Sequence, residues 1–169
     1  TATTLDDGQA SDGLETINSV QAGAFNRSNE DYLRSQVTNK SQPFDVHIVC
    51  QIDSFLSSGQ SRPFGGDSDA GTEVSFNHSN NYISIFVTDG GSGGSGISNN
   101  AMTTDPITIT GHFDGSDSEI IVNGVTTTGG VGPDALERVT LGADFVGGRY
   151  WNGKIGICGV YDPKNSEYG

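Results

Sequence analysis

Alternation of apolar and polar residues marks several short segments of this chain as β-strands. The clearest lies in residues 44–53, where every second position is apolar: Val46, Ile48, Cys50 and Ile52. Alternate side chains of an extended chain share a face, so this pattern predicts a strand with one buried face. Residues 72–76 and 82–88 are two further predicted strands joined by a polar turn, and Ile83, Ile85 and Val87 alternate with the residues between them in the second. Strands recur every 8–12 residues or so, which is typical of β-sandwiches and jelly rolls.

Two tight-turn signals divide the C-terminal third of the chain. Asp114-Gly115 and Asn123-Gly124 separate short β-branched runs within residues 107–161. Asp-Gly and Asn-Gly suit turns that need positive φ, whose twist matches that of paired strands. These signals predict two successive antiparallel hairpins.

Residues 89–100 form the segment of lowest complexity, DGGSGGSGISNN. A glycine-rich loop that cradles phosphate also needs a lysine or a following helix N-terminus, and neither is present here. We therefore expect a flexible surface loop over the whole segment.

Composition supports an all-β domain and excludes some partners. The apolar fraction is low, at 33%, and glycine occurs 25 times, which suits thin strands joined by many turns. The 8 Lys and Arg against 21 Asp and Glu give a net charge of −13, which argues against binding to nucleic acid or to an anionic membrane surface. No apolar stretch approaches the roughly 20 residues that span a bilayer. The acidity is compatible with cation binding, with a salty medium or with an ordinary solvated surface.

Several segments resemble laminin-G-like domains of the concanavalin A-like lectin/glucanase superfamily. The matching segments are AFNRSNEDYL at 24–33, FDVHIVCQID at 44–53, FDG at 113–115, IVNGV at 121–125, LGA at 141–143, RYWNGKI at 149–155 and VY at 160–161. The resemblance implies one antiparallel two-sheet jelly-roll sandwich over residues 22–164. Residues 1–21 are expected to form a polar N-terminal arm, with one edge strand around residues 14–20, and residues 165–169 a C-terminal tail. In the family, the matches to Phe25, Tyr32 and Leu33 are core residues.

The two cysteines, Cys50 and Cys158, fall in predicted core strands. Related folds place the equivalent strands on one sheet. Both a disulfide and two buried free thiols are compatible with this arrangement.

Candidate catalytic groups are poorly arranged in the sequence. Retaining glucanases of this superfamily carry two Glu on one strand face, whereas the nearest run here, residues 117–119, lacks the second Glu. Glu73 lies alone at a strand start. The histidines, His47, His78 and His112, share no ligand spacing with each other or with the cysteines. We predict that the chain is not an enzyme, and that each histidine is structural or exposed.

Two surface sites remain as candidates. Asp67 and Asp69, flanked by glycines, have the flexible acidic character that calcium ligands need, and Asp89 or Asp144 would complete such a site. The alternative is that these acids are solvated loop residues, and no cofactor is certain.

The second candidate is a ligand-binding patch at Arg149, Tyr150 and Trp151. Aromatic faces stack on sugar rings, and arginine supplies directional donors. In the family, however, the aromatic equivalent to Trp151 mostly packs inward.

The sequence favours a non-catalytic structural or adhesion module displayed on a larger assembly. By analogy with free-standing laminin-G-like proteins, this would be a phage virion decoration or appendage, located on a virion surface or outside the cell. The partner would be a protein of that assembly or a surface glycan. The alternatives are a calcium-dependent carbohydrate-binding lectin and, less favoured, a glucanase-like hydrolase.

Overall fold

The computed structural model describes residues 13–66, 71–87, 95–100, 102–144 and 148–163. Two short 3-10 helices, Arg27–Asn29 and Gly115–Asp117, interrupt a succession of strands. The strands are β1 Gly13–Ile17, β2 Val20–Phe25, β3 Leu33–Lys40, β4 Phe44–Ile52, β5 Gln60–Gly65, β6 Thr72–Asn77, β7 Tyr82–Val87, β8 Ser95–Asn99, β9 Ile107–Phe113, β10 Ser118–Val122, β11 Val125–Gly129, β12 Leu136–Leu141 and β13 Gly153–Tyr161.

These strands form two antiparallel sheets packed face to face. The seven-stranded sheet has the order β1-β2-β13-β4-β9-β10-β11, and the six-stranded sheet has the order β3-β12-β5-β6-β7-β8. The predicted all-β jelly-roll sandwich is therefore confirmed. No helix of the described residues is long and apolar enough to cross a membrane.

The core lies between the two sheets and is built by the alternation seen in the sequence. Along β4, Phe44, Val46, Ile48, Cys50 and Ile52 are buried, while the residues between them are half-buried. The facing sheet contributes its own inward set: Phe64, Val74, Phe76, Ile83, Ile85 and Val87. Ile97 of β8 and Leu136 of β12 also belong to this core. The residues that alternate with the inward set along β6 and β7 lie on the outer face of the six-stranded sheet.

The two predicted hairpins are confirmed, although only one has a tight turn. β9, β10 and β11 pair antiparallel in succession. Asn123 and Gly124 have φ of 48° and 83°, as a two-residue hairpin turn requires. The Asp114-Gly115 connection is longer, because the 3-10 helix Gly115–Asp117 lies between β9 and β10.

The N-terminal residues that the structure describes belong to the sandwich. β1 and β2 form a hairpin at the edge of the seven-stranded sheet, and β2 pairs with β13. The expected edge strand is present at Gly13–Ile17, but the proposed arm boundary at residue 21 falls inside β2. Residues 1–12 and 164–169 lie outside the described residues.

The prediction of a loop over all of residues 89–100 is wrong for its second half. Ser95–Asn99 forms β8, the edge strand of the six-stranded sheet, paired with β7. Ile97 is its only large apolar residue and is buried at 4% exposure. Because β8 has so few apolar residues, its sequence shows no alternation of apolar and polar positions. It is extended because it pairs with β7, and this pairing cannot be seen in the local sequence.

Both cysteines are free thiols. Their strands are neighbours as expected, but Cys50 lies opposite Ile155 and Cys158 lies opposite Ile48. Burial raises the pKa of the Cys158 thiol to about 12, and it also raises the pKa of Cys50. The free-thiol alternative therefore describes this structure.

Candidate functional site

The outer face of the six-stranded sheet carries the polar side chains of β6 and β7. Register pairs Asn77 with Tyr82, Ser75 with Ser84, and Glu73 with Phe86 across these strands. These pairs alternate with the inward pairs Val74–Ile85 and Phe76–Ile83, so all six side chains lie on the outer face. Ser98 of β8 continues the middle row beside Ser84.

Two aromatic side chains flank a floor of serines on this face. Tyr82 and Phe86 are half-buried and stand on either side of Ser84 along β7. Phe86 lies against the neighbouring strand, where a Cβ at Gly96 would come within 2.6 Å of its ring. The Tyr82 hydroxyl accepts a hydrogen bond from Asn77 Nδ2 at 3.1 Å. We call this surface the β7 trough; its members are Ser75, Asn77, Tyr82, Ser84, Phe86 and Ser98.

A buried charged network adjoins the trough at Glu73. Arg62 Nη1 lies 2.6 Å from Glu73 Oε2 and 3.3 Å from Asp144 Oδ2. Asp144 also binds Arg149 Nη1 at 3.2 Å and accepts the Gly148 N–H at 2.6 Å. Arg62, Glu73 and Asp144 are all less than a tenth exposed. Two arginines and two carboxylates therefore form one network, in which Arg62, Glu73 and Asp144 are shielded from water and Arg149 is half-exposed.

The backbone explains how Asp144 reaches this position. Gly65 is paired with Glu73, and a Cβ at Gly65 would lie 2.9 Å from Ala143 O and 3.2 Å from Asp144 Cα. The chain that follows β12 therefore crosses directly over β5. Only a residue without a side chain allows this close approach, which brings Asp144 to Arg62.

Burial raises the pKa of Glu73 from 4.5 to about 7, although Arg62 and Arg149 act in the opposite direction. Loss of hydration penalises the carboxylate more than the two guanidinium groups stabilise it. Glu73 therefore changes its protonation near neutral pH.

The same face also holds hydrogen-bonding capacity that the described residues do not use. Three buried atoms have no hydrogen-bond partner among the described residues: Ser75 Oγ, Thr140 Oγ1 and Arg62 Nε. Thr140 is paired with Gly65, so it points outward in the row of Glu73. An unpartnered buried polar atom costs about 1–3 kcal/mol. The network and the serine floor therefore contain hydrogen-bonding atoms that are not paired, whereas in a polar layer with a purely structural role such atoms would be paired.

The structure separates the three residues predicted to form a ligand-binding patch. Trp151 is fully buried in the core, with its ring 4.7 Å from that of Phe76, so it has no exposed surface to offer a sugar. Its position is the inward packing considered as the alternative. Arg149 is half-exposed and Tyr150 is half-buried, so both remain predictions. The Tyr150 hydroxyl donates to Glu30 Oε2 at 3.4 Å.

The predicted calcium ligands Asp67 and Asp69 lie outside the described residues, as does Asp89. Asp144 is described, but its carboxylate is bound to two arginines and to a backbone N–H. Among the residues that the structure describes, no three His, Cys, Asp or Glu side chains are grouped as metal ligands. The calcium site stays a prediction.

The histidines have structural partners. His47 contacts Thr110 and His112 contacts Asp45, at 2.8 Å and 2.6 Å between the bonded atoms. His78 Nε2 lies 2.8 Å from Ser61 Oγ, while its Nδ1 accepts the Leu56 N–H at 3.4 Å. With Nδ1 as acceptor, Nε2 carries the proton and donates to Ser61.

A histidine in that tautomer is not poised to take a proton from the serine. Ser61 is also fully buried. This serine–histidine pair therefore lacks both the base and the access that a nucleophile needs.

The β7 trough was not predicted from the sequence, although the sequence does indicate which residues of β7 point outward. Tyr82, Ser84 and Phe86 alternate with core isoleucines, so their outward direction follows from the period alone. The serines beside them come from β6 and β8, and only the strand order shows that these strands flank β7.

Comparison with solved structures places the chain in a known fold. It superimposes on domain 4 of an extracellular GH43 arabinanase from Geobacillus stearothermophilus, in complex with arabinotriose. The TM-score is 0.73 at 15% identity, over 96% of this chain and 80% of that one. No protein-family model matches this sequence, and no curated protein does.

Two further structures share the fold over less than half of their own length. A structure of botulinum neurotoxin type C, whose cell entry depends upon interaction with two ganglioside molecules, matches with a TM-score of 0.69 at 11% identity, over 90% of this chain and 42% of that one. Domains LG4-5 of the mouse laminin α1 chain match with a TM-score of 0.55 at 10% identity, over 83% and 41%. The concanavalin A-like jelly roll implied by the laminin-G resemblance is confirmed, and at these identities the likeness concerns fold alone.

Proposed function

We propose that this protein is a non-catalytic module that binds carbohydrate through the β7 trough. The observation that carries the proposal is the pair of half-buried aromatic side chains, Tyr82 and Phe86, on either side of a serine floor. Sugar rings present apolar C–H faces that stack on aromatic rings, and hydroxyl edges that exchange hydrogen bonds with serine and asparagine. The trough supplies both.

The fold comparisons support this proposal without proving it. The arabinanase domain was seen with arabinotriose, and the type C toxin interacts with gangliosides. Both proteins share the sandwich at low identity, so the chemistry for this chain rests on its own trough residues.

The charged network supports binding without hydrolysis. Among the described residues, Glu73 is the carboxylate paired with Phe86 of the trough, and Arg62 Nη1 lies within 3.3 Å of both Glu73 and Asp144. A glycosidase needs the space between its two carboxylates for the sugar and the attacking water. In this structure a buried guanidinium fills that space.

Binding and its location are tested together by a glycan array followed by calorimetric titration of the glycans that bind. Phe86→Ala should abolish saturable binding or weaken it about tenfold, because it removes one stacking face. Tyr161→Ala is the matched control, since Tyr161 is a half-exposed aromatic residue at the end of β13, in the other sheet.

Equal losses from both substitutions would contradict the location. An array on which no glycan binds would contradict the function. Release of reducing ends from any bound glycan would contradict the non-catalytic assignment.

The same titration tests the alternative hypothesis that the protein is a calcium-dependent lectin. Binding that disappears with chelator, and in Asp67→Ala and Asp69→Ala, would make the site calcium-dependent. Binding that survives chelation supports the trough acting without a metal.

Display on a larger assembly, such as a phage virion, remains our proposal for where this module works. Adhesion through a glycan requires the module to be outside the cell or on a particle surface. Mass spectrometry of purified particles or of surface fractions from the source, with the protein quantified in each, tests this proposal. Recovery only from the soluble intracellular fraction would contradict it.

A further inference from the structure

The spacing of the two aromatic residues limits the length of the ligand. Tyr82 and Phe86 lie four residues apart on the same face of β7. A strand rises about 3.3 Å per residue, so the two side chains are anchored roughly 13 Å apart. A single sugar ring is too short to contact both.

Both rings are positioned before any ligand arrives. Phe86 packs over Gly96, where no side chain intervenes, and Asn77 holds the Tyr82 hydroxyl. Binding therefore requires little ordering of either side chain, and both contacts are available to one rigid ligand.

The floor between the rings favours an uncharged ligand. Its described side chains are serines: Ser98 is exposed, whereas Ser75 and Ser84 are only 2% and 7% exposed. The charged side chain beside Phe86 on this face, Glu73, is itself buried and paired with Arg62. The net charge of −13 repels anionic ligands over long range. A purely apolar ligand would remove the exposed Ser98 hydroxyl from water and offer it no hydrogen bond, which disfavours a lipid tail.

Resting on the proposed function, we infer that the ligand is an uncharged, linear oligosaccharide of at least three sugar units that lies along β7. One end would stack on Phe86 and the other on Tyr82, with the middle unit over Ser84. Units stacked on rings anchored roughly 13 Å apart are too far apart to be directly joined, so at least one further unit lies between them.

Calorimetric titration with oligosaccharide ladders tests this inference. The probes are arabino-, xylo- and gluco-oligosaccharides of one to six units, each measured at low and at high salt. For the series that binds, we expect no saturable binding of the monosaccharide and a gain of roughly tenfold or more between the disaccharide and the trisaccharide. Affinity should then level off and should not fall with salt.

Variants separate the two rings. Phe86→Ala and Tyr82→Ala should each lower trisaccharide affinity about tenfold and remove most of the advantage of the trisaccharide over the disaccharide. Tyr82→Phe keeps the ring and loses the contact with Asn77, so it should stay within about threefold of wild type. Tyr161→Ala should have no effect on either ligand.

Different results would contradict the inferred ligand and the proposed carbohydrate-binding function. If a monosaccharide binds as tightly as a trisaccharide, and Phe86→Ala still weakens it, the trough binds sugar but the inferred length is wrong. Affinity that falls steeply with salt would show that the ligand is recognised by charge, and would also overturn the inference. If none of the ladders binds, and the glycan array is blank, the proposed function itself fails.

Discussion

Replacing Glu73 by Gln tests the buried charged network through its pH dependence. The pKa of Glu73 is raised from 4.5 to about 7 in the folded protein. The folded state therefore holds this proton more tightly than the unfolded chain, so the wild type loses stability as pH rises through this interval. Each unit of pKa difference corresponds to about 1.4 kcal/mol, so the whole interval corresponds to about 3 kcal/mol.

Glutamine imitates the protonated acid and does not titrate, so the wild type is compared with Glu73→Gln at each pH. Urea unfolding gives the free energy of both proteins from about pH 4.5 to about pH 7.5. The contributions of acids distant from the network largely cancel in the difference, whereas Asp144 shares Arg62 with Glu73 and is coupled to it. The stability of the wild type relative to the variant should fall by about 3 kcal/mol across that range and stay constant above it.

A difference that does not change with pH would show that Glu73 titrates at the same pH in both states. A wild type that gains on the variant as pH rises would mean that the ion pair with Arg62 outweighs the loss of hydration. Either result would refute the argument that desolvation dominates in this network.

Three further predictions concern the core, a turn and the thiols. Trp151→Ala should cost about 3–5 kcal/mol in urea unfolding, because a fully buried ring packed on Phe76 is lost; a change below about 1 kcal/mol would contradict its core position. Gly124→Ala should cost about 1 kcal/mol by the same measurement, since φ is 83° and, apart from the two adjacent residues, no described atom lies within 4 Å of the new Cβ; an unchanged midpoint would show that the turn relaxes. Cys50 is fully buried and should react slowly with a thiol reagent in the folded protein, Cys158 is half-buried with a raised pKa and should react more slowly than free cysteine, and unfolding should yield two thiols; fast labelling of Cys50 in the native protein, or no thiols on unfolding, would contradict this.

The local pattern of apolar and polar residues was sufficient to predict the strands whose two faces differ most in polarity. β4, β6 and β7 alternate apolar and polar residues, and the Asn123-Gly124 turn has the positive φ that its sequence favours. β8 could not be found in this way, because its order comes from pairing with β7 rather than from its own residues.

The candidate site depended on contacts between distant residues. Arg62, Glu73 and Asp144 are far apart in sequence and meet because the chain after β12 crosses over Gly65. The aromatic character of Trp151 was a misleading sign of binding, because the same ring suits a core. Phe86 carries the same chemistry on an outward position, and the alternation of β7 was the only local indication of it.

The central claim is that glycan binds along β7, and amide chemical shifts locate it most directly. The 15N-labelled protein is titrated with the tightest-binding oligosaccharide of the ladders, and the shifted amides are mapped onto the sheets. The account predicts the largest changes at Ser75, Ser84, Phe86 and Ser98, with small changes along β13. Changes centred on Arg149 and Tyr150, or on the outer face of the seven-stranded sheet, would contradict it.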